Sequence, residues 1–189
     1  MIKLAVAAFF AVALTQAVHA TPTTGIIQFS GSVTSNVPDA VNANGSTSLV
    51  FGKTQVTFDN GSFAGIVNNG DVVTMLTSAW VFNSGSIPSF WSVDGFTFNL
   101  TSSSWTGNTG GAGSGSATVA LAGTVAGNGF TANTFAGSFT LQDPSAPQGN
   151  TFVYSGSFSL GSVPDGGTTI LLLGSALSGL ALLKRKLVS

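Results

Sequence analysis

Apolar and polar side chains alternate along most of residues 21–162, and this alternation constrains the fold more than any other feature. Tyr154, Phe158 and Leu160, for example, fall on one side of an extended chain, and serines fall on the other. A period of two is typical of a β-strand with one buried face, whereas an amphipathic helix needs apolar residues three and four apart. The sequence therefore predicts strands and no helix in this region.

Turn signals rich in Gly and Asn divide the region into short strands. Eight strands are predicted, near 27–33, 48–51, 54–58, 72–82, 93–100, 119–125, 135–141 and 152–160. This number of short strands predicts a single antiparallel β-sandwich or jelly-roll-like domain, with a core built mainly from Phe. A β-solenoid is the alternative, but the sequence has no constant period to support it.

One small motif recurs three times, as FSGSV at 29–33, FAGSF at 135–139 and YSGSF at 154–158. An aromatic residue, a Gly and an apolar residue share one strand face in each copy. We interpret the Gly as room that a ring from a neighbouring strand covers, because a covering ring offsets the poor strand propensity of Gly. A repeated binding ridge is the alternative interpretation.

Residues 101–116 (TSSSWTGNTGGAGSGS) have low complexity and are predicted to form a long flexible loop. Trp105 lies within them, and its ring either folds back over the sheet edge or stacks on a sugar. Aromatic rings are the natural contacts for a carbohydrate, so the candidate contact residues are Trp80, Trp91, Trp105 and Tyr154.

Charged residues make up 6% of the chain, and it has no Cys. Without Cys there is no disulfide, thiolate nucleophile or Cys-ligated metal, and one Lys in the middle excludes a phosphate-binding nucleic-acid surface. We expect no enzymatic activity, no metal and no cofactor. One alternative is an Asp-dependent hydrolase, which would have only Asp39, Asp59, Asp71, Asp94 and Asp143 as its acids. The other is a calcium site to which the turns with Asp59 and Asp71 contribute.

The first 20 residues have the features of a secretory signal peptide. Lys3 precedes an apolar run at residues 4–14, and small residues lead up to a predicted cleavage after Ala20. The run is too short to cross a bilayer as a helix. The prediction is a signal helix at 1–20 that directs residues 21–162 out of the cytoplasm.

Residues 163–189 form a tail with three parts. A turn-forming motif precedes a charge-free stretch at 168–183, which is predicted to be a short transmembrane helix, and a basic cluster follows. Basic flanks stay in the cytoplasm, so the domain is placed on the opposite side of the membrane. The motif is Val163, Pro164, Asp165, Gly166 and Gly167, and the basic stop is Lys184, Arg185 and Lys186.

This order of motif, apolar span and basic cluster resembles the PEP-CTERM class of bacterial sorting signals, and VPDGG resembles its VPDSG variant. Val163, Pro164, Asp165 and Gly167 match the motif, whereas Gly166 stands where the variant has Ser. The resemblance implies that a membrane enzyme, exosortase, cuts at or near the motif and releases or transfers the exported protein. A plain membrane anchor is the alternative, while a GPI signal would lack the basic cluster.

Together these features predict an exported, non-enzymatic protein of the cell surface or extracellular matrix. Its precursor would be anchored in the inner membrane, with an exosortase-like enzyme and extracellular polysaccharide as partners and no nucleic acid. The alternative is a carbohydrate-binding or adhesive module of the cell surface.

Overall fold

The computed structural model describes Thr21, residues 23–144 and residues 150–161. Nine strands occur in this part of the chain, together with two single-turn 3-10 helices at Ala40–Asn42 and Gly61–Phe63. The strands are β1 (Gly25–Ser35), β2 (Ser48–Asp59), β3 (Thr74–Met75), β4 (Trp80–Val81), β5 (Ile87–Val93), β6 (Phe96–Thr109), β7 (Ser116–Gly127), β8 (Phe130–Gln142) and β9 (Thr151–Leu160).

All nine strands belong to one antiparallel sheet in the order β3-β5-β6-β7-β8-β9-β1-β2-β4. Strands β5 to β9 pair with their sequence neighbours, and β9 then pairs with β1 along ten residue pairs. The first and last long strands therefore lie side by side in the middle of the sheet.

The connection between β2 and β5 contacts both edges of this sheet. On one side, the Val56 N–H of β2 donates to the Asp71 carbonyl at 2.9 Å. A few residues later, Thr74 in β3 lies opposite Ser92 in β5. The same connection thus joins strands that are far apart in the sheet order, which is possible because the sheet is curled.

A second part of the connection repeats this arrangement. Trp80 in β4 pairs with Leu49 of β2, and the Asn83 side chain accepts a hydrogen bond of 2.7 Å from the Trp105 N–H of β6. The curled sheet is therefore held at two places along its length.

The concave side of the curl contains the hydrophobic core. Strand β9 shows the alternation most clearly, since every second side chain from Phe152 to Leu160 is buried. The largest fully buried side chains in the described residues are Trp80, Trp91, Tyr154, Phe29, Phe63, Phe82, Phe90, Phe96, Phe98, Phe139, Phe152 and Phe158.

The three copies of the recurrent motif lie on β1, β8 and β9, which are adjacent in the sheet. Gly156 of β9 is opposite Phe29 of β1 and Phe139 of β8. A Cβ atom at Gly156 would lie 2.8–2.9 Å from ring atoms of Phe29, Phe139 and Phe158. The prediction that neighbouring rings cover the glycine is therefore confirmed at Gly156 and, through Phe158, at Gly137. It is wrong for Gly31, where a Cβ would instead meet the Lys53 carbonyl and Thr54 of β2.

The prediction of an all-β antiparallel domain is also confirmed. The arrangement differs from the predicted sandwich, because the strands form one curled sheet rather than two packed sheets. Long strands and register shifts in the β1–β2, β5–β6, β6–β7 and β7–β8 pairs explain the difference, since bulges bend strands and increase their twist. Opposite parts of one sheet can then face each other across the core.

Three local predictions need correction. Residues 101–116 were expected to form a flexible loop, but most of them belong to β6, where Ser103 pairs with Leu121 and Trp105 with Val119. Only 110–115 connect the strands. The predicted strands 48–51 and 54–58 form one strand, β2, and the predicted strand 72–82 is reduced to two short strands.

The predicted signal helix at 1–20 and the predicted transmembrane helix at 168–183 lie outside the described residues. No helix within the described part of the chain has the length and apolar character needed to span a bilayer.

Candidate functional site

Three of the four aromatic residues predicted to contact carbohydrate lie in the core. Trp80, Trp91 and Tyr154 are each 0–1% exposed. The Trp91 ring stacks on Phe98 with ring centroids 3.4 Å apart, and the Trp80 Nε1–H donates to Ser84 Oγ at 2.8 Å. These rings contact protein on the concave side of the sheet, so they offer no face to an external sugar.

Trp105 is the fourth candidate and is only partly buried. Its side chain packs against the core from β6. The indole Nε1 is enclosed and has no hydrogen-bond partner among the described residues. This placement favours the alternative in which the ring folds back over the sheet.

Tyr154 makes a buried polar contact instead of a ligand contact. Its hydroxyl lies 2.6 Å from Thr54 Oγ1, which connects β9 with β2. Burial raises the pKa of the Tyr154 phenol, and the hydrogen bond with Thr54 offsets part of this shift.

This placement predicts how the phenol titrates, because Tyr154 is the only Tyr in the chain. The raised pKa means that the folded protein holds this proton more tightly than the unfolded chain does. The resulting stability is present below about pH 10 and decreases as the pH rises above it. We expect phenolate absorbance to appear only together with unfolding, whereas the same chain in concentrated urea should titrate near pH 10. Normal titration in the folded state would contradict the burial of Tyr154.

Two of the aspartates stabilise loops at one end of the sheet. Asp143 accepts hydrogen bonds from the backbone N–H groups of Ala40 and Gly115 at 2.7 and 2.8 Å. Asp39 accepts one from the Gly113 N–H at 3.2 Å. Their carboxylates therefore fix the β6–β7 connection and the first 3-10 helix in place.

Asp71 and Asp94 lie together on the surface and interact through their side chains. Partial desolvation, followed by the hydrogen bond and charge of Asp71, raises the pKa of the Asp94 carboxyl group. The backbone hydrogen bond from Asn68 lowers the pKa of Asp71. Among the described residues, no group of three or more acidic or His side chains is arranged to hold a metal ion.

A shallow depression lies on the outer side of the sheet, over the strands whose inner side carries the recurrent motif. Its volume is about 170 Å³, and it is lined by Gln28, Phe29, Thr57, Ser138, Thr140, Ser155, Gly156 and Ser157. The side chains come from β1, β2, β8 and β9. Hydroxyl and amide groups thus surround a site that contains no charged side chain.

Sequence reasoning did not identify this depression. The sequence predicted aromatic rings as the contact residues, whereas the depression is lined mainly by the small polar residues that alternate with those rings. One signal was present in the sequence, because serines flank the Gly in FSGSV and YSGSF and occupy the face opposite the aromatic residues. Which strands would lie beside each other was the missing information.

The sorting residues and the cleavage residue lie outside the described part of the chain. They are Ala20, Val163, Pro164, Asp165, Gly166, Gly167, Lys184, Arg185 and Lys186.

Comparison with known proteins bears on the tail. The family model described as the VPDSG-CTERM motif matches residues 162–187, so the chain carries a C-terminal sorting motif of the PEP-CTERM type. Such motifs are associated with exosortase processing and imply an exported, membrane-processed protein. No curated protein and no solved structure matches the chain. The predicted resemblance is confirmed.

Proposed function

We propose that this protein is an exported, non-enzymatic component of the cell surface or extracellular matrix, delivered by its C-terminal tail to an exosortase-like enzyme. The match of residues 162–187 to the sorting motif carries the proposal. A leader cut after Ala20 starts export, and Lys184, Arg185 and Lys186 hold the end of the tail in the cytoplasm. The enzyme then acts at or near the motif, and the curled sheet reaches the surface.

The non-enzymatic part of the proposal is supported by what the carboxylates do. Asp39 and Asp143 accept hydrogen bonds from loop backbone, so they act in folding. Asp71 and Asp94 lie together near the surface, and neither lines the depression on the outer face.

Replacement of Val163, Pro164 and Asp165 by alanine in the native host tests the sorting function. We expect a membrane-retained form that keeps its C-terminal tail, because the processing enzyme no longer recognises the motif. Membrane fractionation and intact mass of the recovered protein measure this result. A control variant replaces the same residue types elsewhere, as Val72→Ala, Pro88→Ala and Asp59→Ala, and should be processed normally.

The proposal would fail if the motif variant had the same mass and the same fractionation as the wild-type protein. It would also fail if the control variant were retained to the same extent, since retention would then reflect damaged folding rather than a lost motif.

Carbohydrate binding at the cell surface is the second candidate function. The uncharged depression on the outer face favours it, whereas the burial of Trp80, Trp91 and Tyr154 does not. Tryptophan fluorescence should therefore change little when a polysaccharide binds. A large change would instead indicate that the polysaccharide contacts the tryptophan rings.

A further inference from the structure

Five consecutive strands of the sheet carry no charged residue. These are β6, β7, β8, β9 and β1, which are neighbours in that order. Exposed protein surfaces usually contain about 25–35% charged residues, so a face this wide without one is unusual. The charged residues of the described part lie elsewhere, on β2 or in connections, and are Asp39, Lys53, Asp59, Asp71, Asp94 and Asp143.

Small polar side chains form two rows across the outer side of β8, β9 and β1. Ser157 of β9 lies opposite Gln28 of β1 and Ser138 of β8, and the next row places Ser155 opposite Ser30 and Thr140. Neighbouring strands are about 4.8 Å apart, and residues on the same face repeat about every 6.8 Å along a strand. Around Ser155 the outer face of β8, β9 and β1 is thus an array of hydroxyl groups, with the apolar side chains of Ala136 and Val153 beside it, and the depression lies within this array.

Several of these hydroxyl groups are free to bind something else. The Gln28 amide donates to Ser157 Oγ at 3.1 Å. The side-chain hydroxyls of Thr57, Ser138, Thr140 and Ser155 have no hydrogen-bond partner within the described residues. The depression measures about 170 Å³, compared with about 30 Å³ for one water molecule. It therefore has room for a small ring surrounded by unpaired donors and acceptors.

The chemistry of the face fits some partners poorly. Protein interfaces are enriched in aromatic residues and Arg and depleted in Ser and Ala, so this face is a poor site for another protein. Nucleic acids and anionic lipids require clusters of cations, and the described residues contain one, Lys53. An uncharged partner with many hydroxyl groups suits the array best, because Ser and Thr hydroxyls both donate and accept hydrogen bonds.

We propose that the outer face of β1, β9 and β8, centred on Ser155, binds an uncharged polysaccharide through its hydroxyl groups. This inference names the partner of the exported domain and rests on the proposed surface location. Phe58 of β2 lies opposite Gln28 at one edge of this face and is 44% exposed. Most of the face offers hydroxyl groups rather than rings, so most sugar residues along a polymer bind weakly. Strong binding then requires many repeated contacts along one polymer, since linked weak contacts gain affinity from effective concentration.

Affinity electrophoresis of the full chain through gels containing a polysaccharide tests the proposal. The probes are dextran, hydroxyethyl cellulose and galactomannan, each uncharged, with dextran sulfate as the anionic counterpart and glucose as the monomer. We expect retardation by at least one uncharged polymer, and neither retardation by dextran sulfate nor competition by glucose at equal sugar concentration.

A triple variant, Ser138→Ala with Thr140→Val and Ser155→Ala, removes three unpaired hydroxyls with little change in shape. We expect at least about tenfold weaker binding, because three lost hydrogen bonds at about 0.5 kcal/mol or more each amount to about 1.5 kcal/mol or more. The control removes three exposed loop hydroxyls, as Ser46→Ala, Ser86→Ala and Ser114→Ala, and should bind like the wild type. Equal melting temperatures of the two variants show that both remain folded.

Three outcomes would overturn the proposal: no retardation by any uncharged polymer, stronger binding to dextran sulfate than to dextran, or equal weakening in the face variant and the loop control. If the wild-type protein binds polysaccharide but the motif variant is processed normally, only the proposed sorting function is overturned. The two proposals can therefore fail separately.

Discussion

Replacement of Phe139 by alanine should lower the free energy of unfolding by about 3–5 kcal/mol, the range measured when a fully buried aromatic residue is truncated. The ring is 0% exposed. It lies at the centre of the aromatic core, with six other rings at centroid distances of 5.3–6.1 Å. Truncation leaves a cavity that rings fixed on five different strands cannot fill. Those neighbours are Phe29, Phe51, Trp80, Phe90, Tyr154 and Phe158.

Unfolding in urea, followed by tryptophan fluorescence, measures this effect. Phe58→Ala is the matched control, because the Phe58 ring is 44% exposed. Its truncation should lower the free energy of unfolding clearly less than truncation of Phe139 does. Phe139→Leu keeps an apolar side chain and serves as the test if the alanine variant does not fold. Its free energy of unfolding should lie between those of the wild type and Phe139→Ala. Equal losses for Phe139→Ala and Phe58→Ala would contradict the central position of Phe139.

The alternation of side chains was sufficient to predict the last three strands, β7, β8 and β9. In β9, each position from Phe152 to Leu160 that the pattern assigned to the core is buried. The repeated motif also predicted a feature between strands, since Gly156 is covered by rings. Both predictions succeed because the pleat fixes the direction of each side chain independently of the rest of the fold.

The sequence predicted less where partners from distant parts of the chain determine the structure. Residues 101–116 have the composition of a loop, but Ser103 and Trp105 belong to a strand because β7 pairs with them. Strand propensity is weak compared with this tertiary context. One curled sheet instead of two also depends on register shifts and on the connection that bridges β2 and β5, neither of which leaves a local pattern.

The candidate site was missed for a related reason. Its lining residues Gln28, Thr57, Ser138 and Ser155 are far apart in the sequence and meet only because β1 is inserted between β9 and β2. Trp80 and Trp91, in contrast, were proposed as contact residues but are buried. A ring in a short strand has the same local sequence whether its face meets the core or solvent, so their burial could not be predicted from their neighbours.

Replacement of Gly156 by alanine should destabilise the protein by about 1–3 kcal/mol, although it adds only one methyl group. The new Cβ would lie 2.8–2.9 Å from ring atoms of Phe29, Phe139 and Phe158, which is closer than real Cβ contacts occur. The three rings pack against one another, with centroids 5.3–5.7 Å apart, so none of them can move away without disturbing the others. The clash must therefore be relieved by a shift of β9 relative to its neighbours.

Gly85→Ala is the control, since a Cβ there meets nothing within 4 Å, and its unfolding free energy should stay close to that of the wild type. A double-mutant cycle with Phe29→Leu identifies the cause. If the clash with rings is responsible, the smaller Leu side chain should relieve part of it, and the coupling free energy should be at least about 0.5 kcal/mol in the stabilising direction. Equal costs for Gly156→Ala and Gly85→Ala would instead mean that the recurrent Gly is not required for packing. If the effects of the two substitutions on the unfolding free energy were additive, contact with Phe29 would not be the reason that position 156 requires Gly.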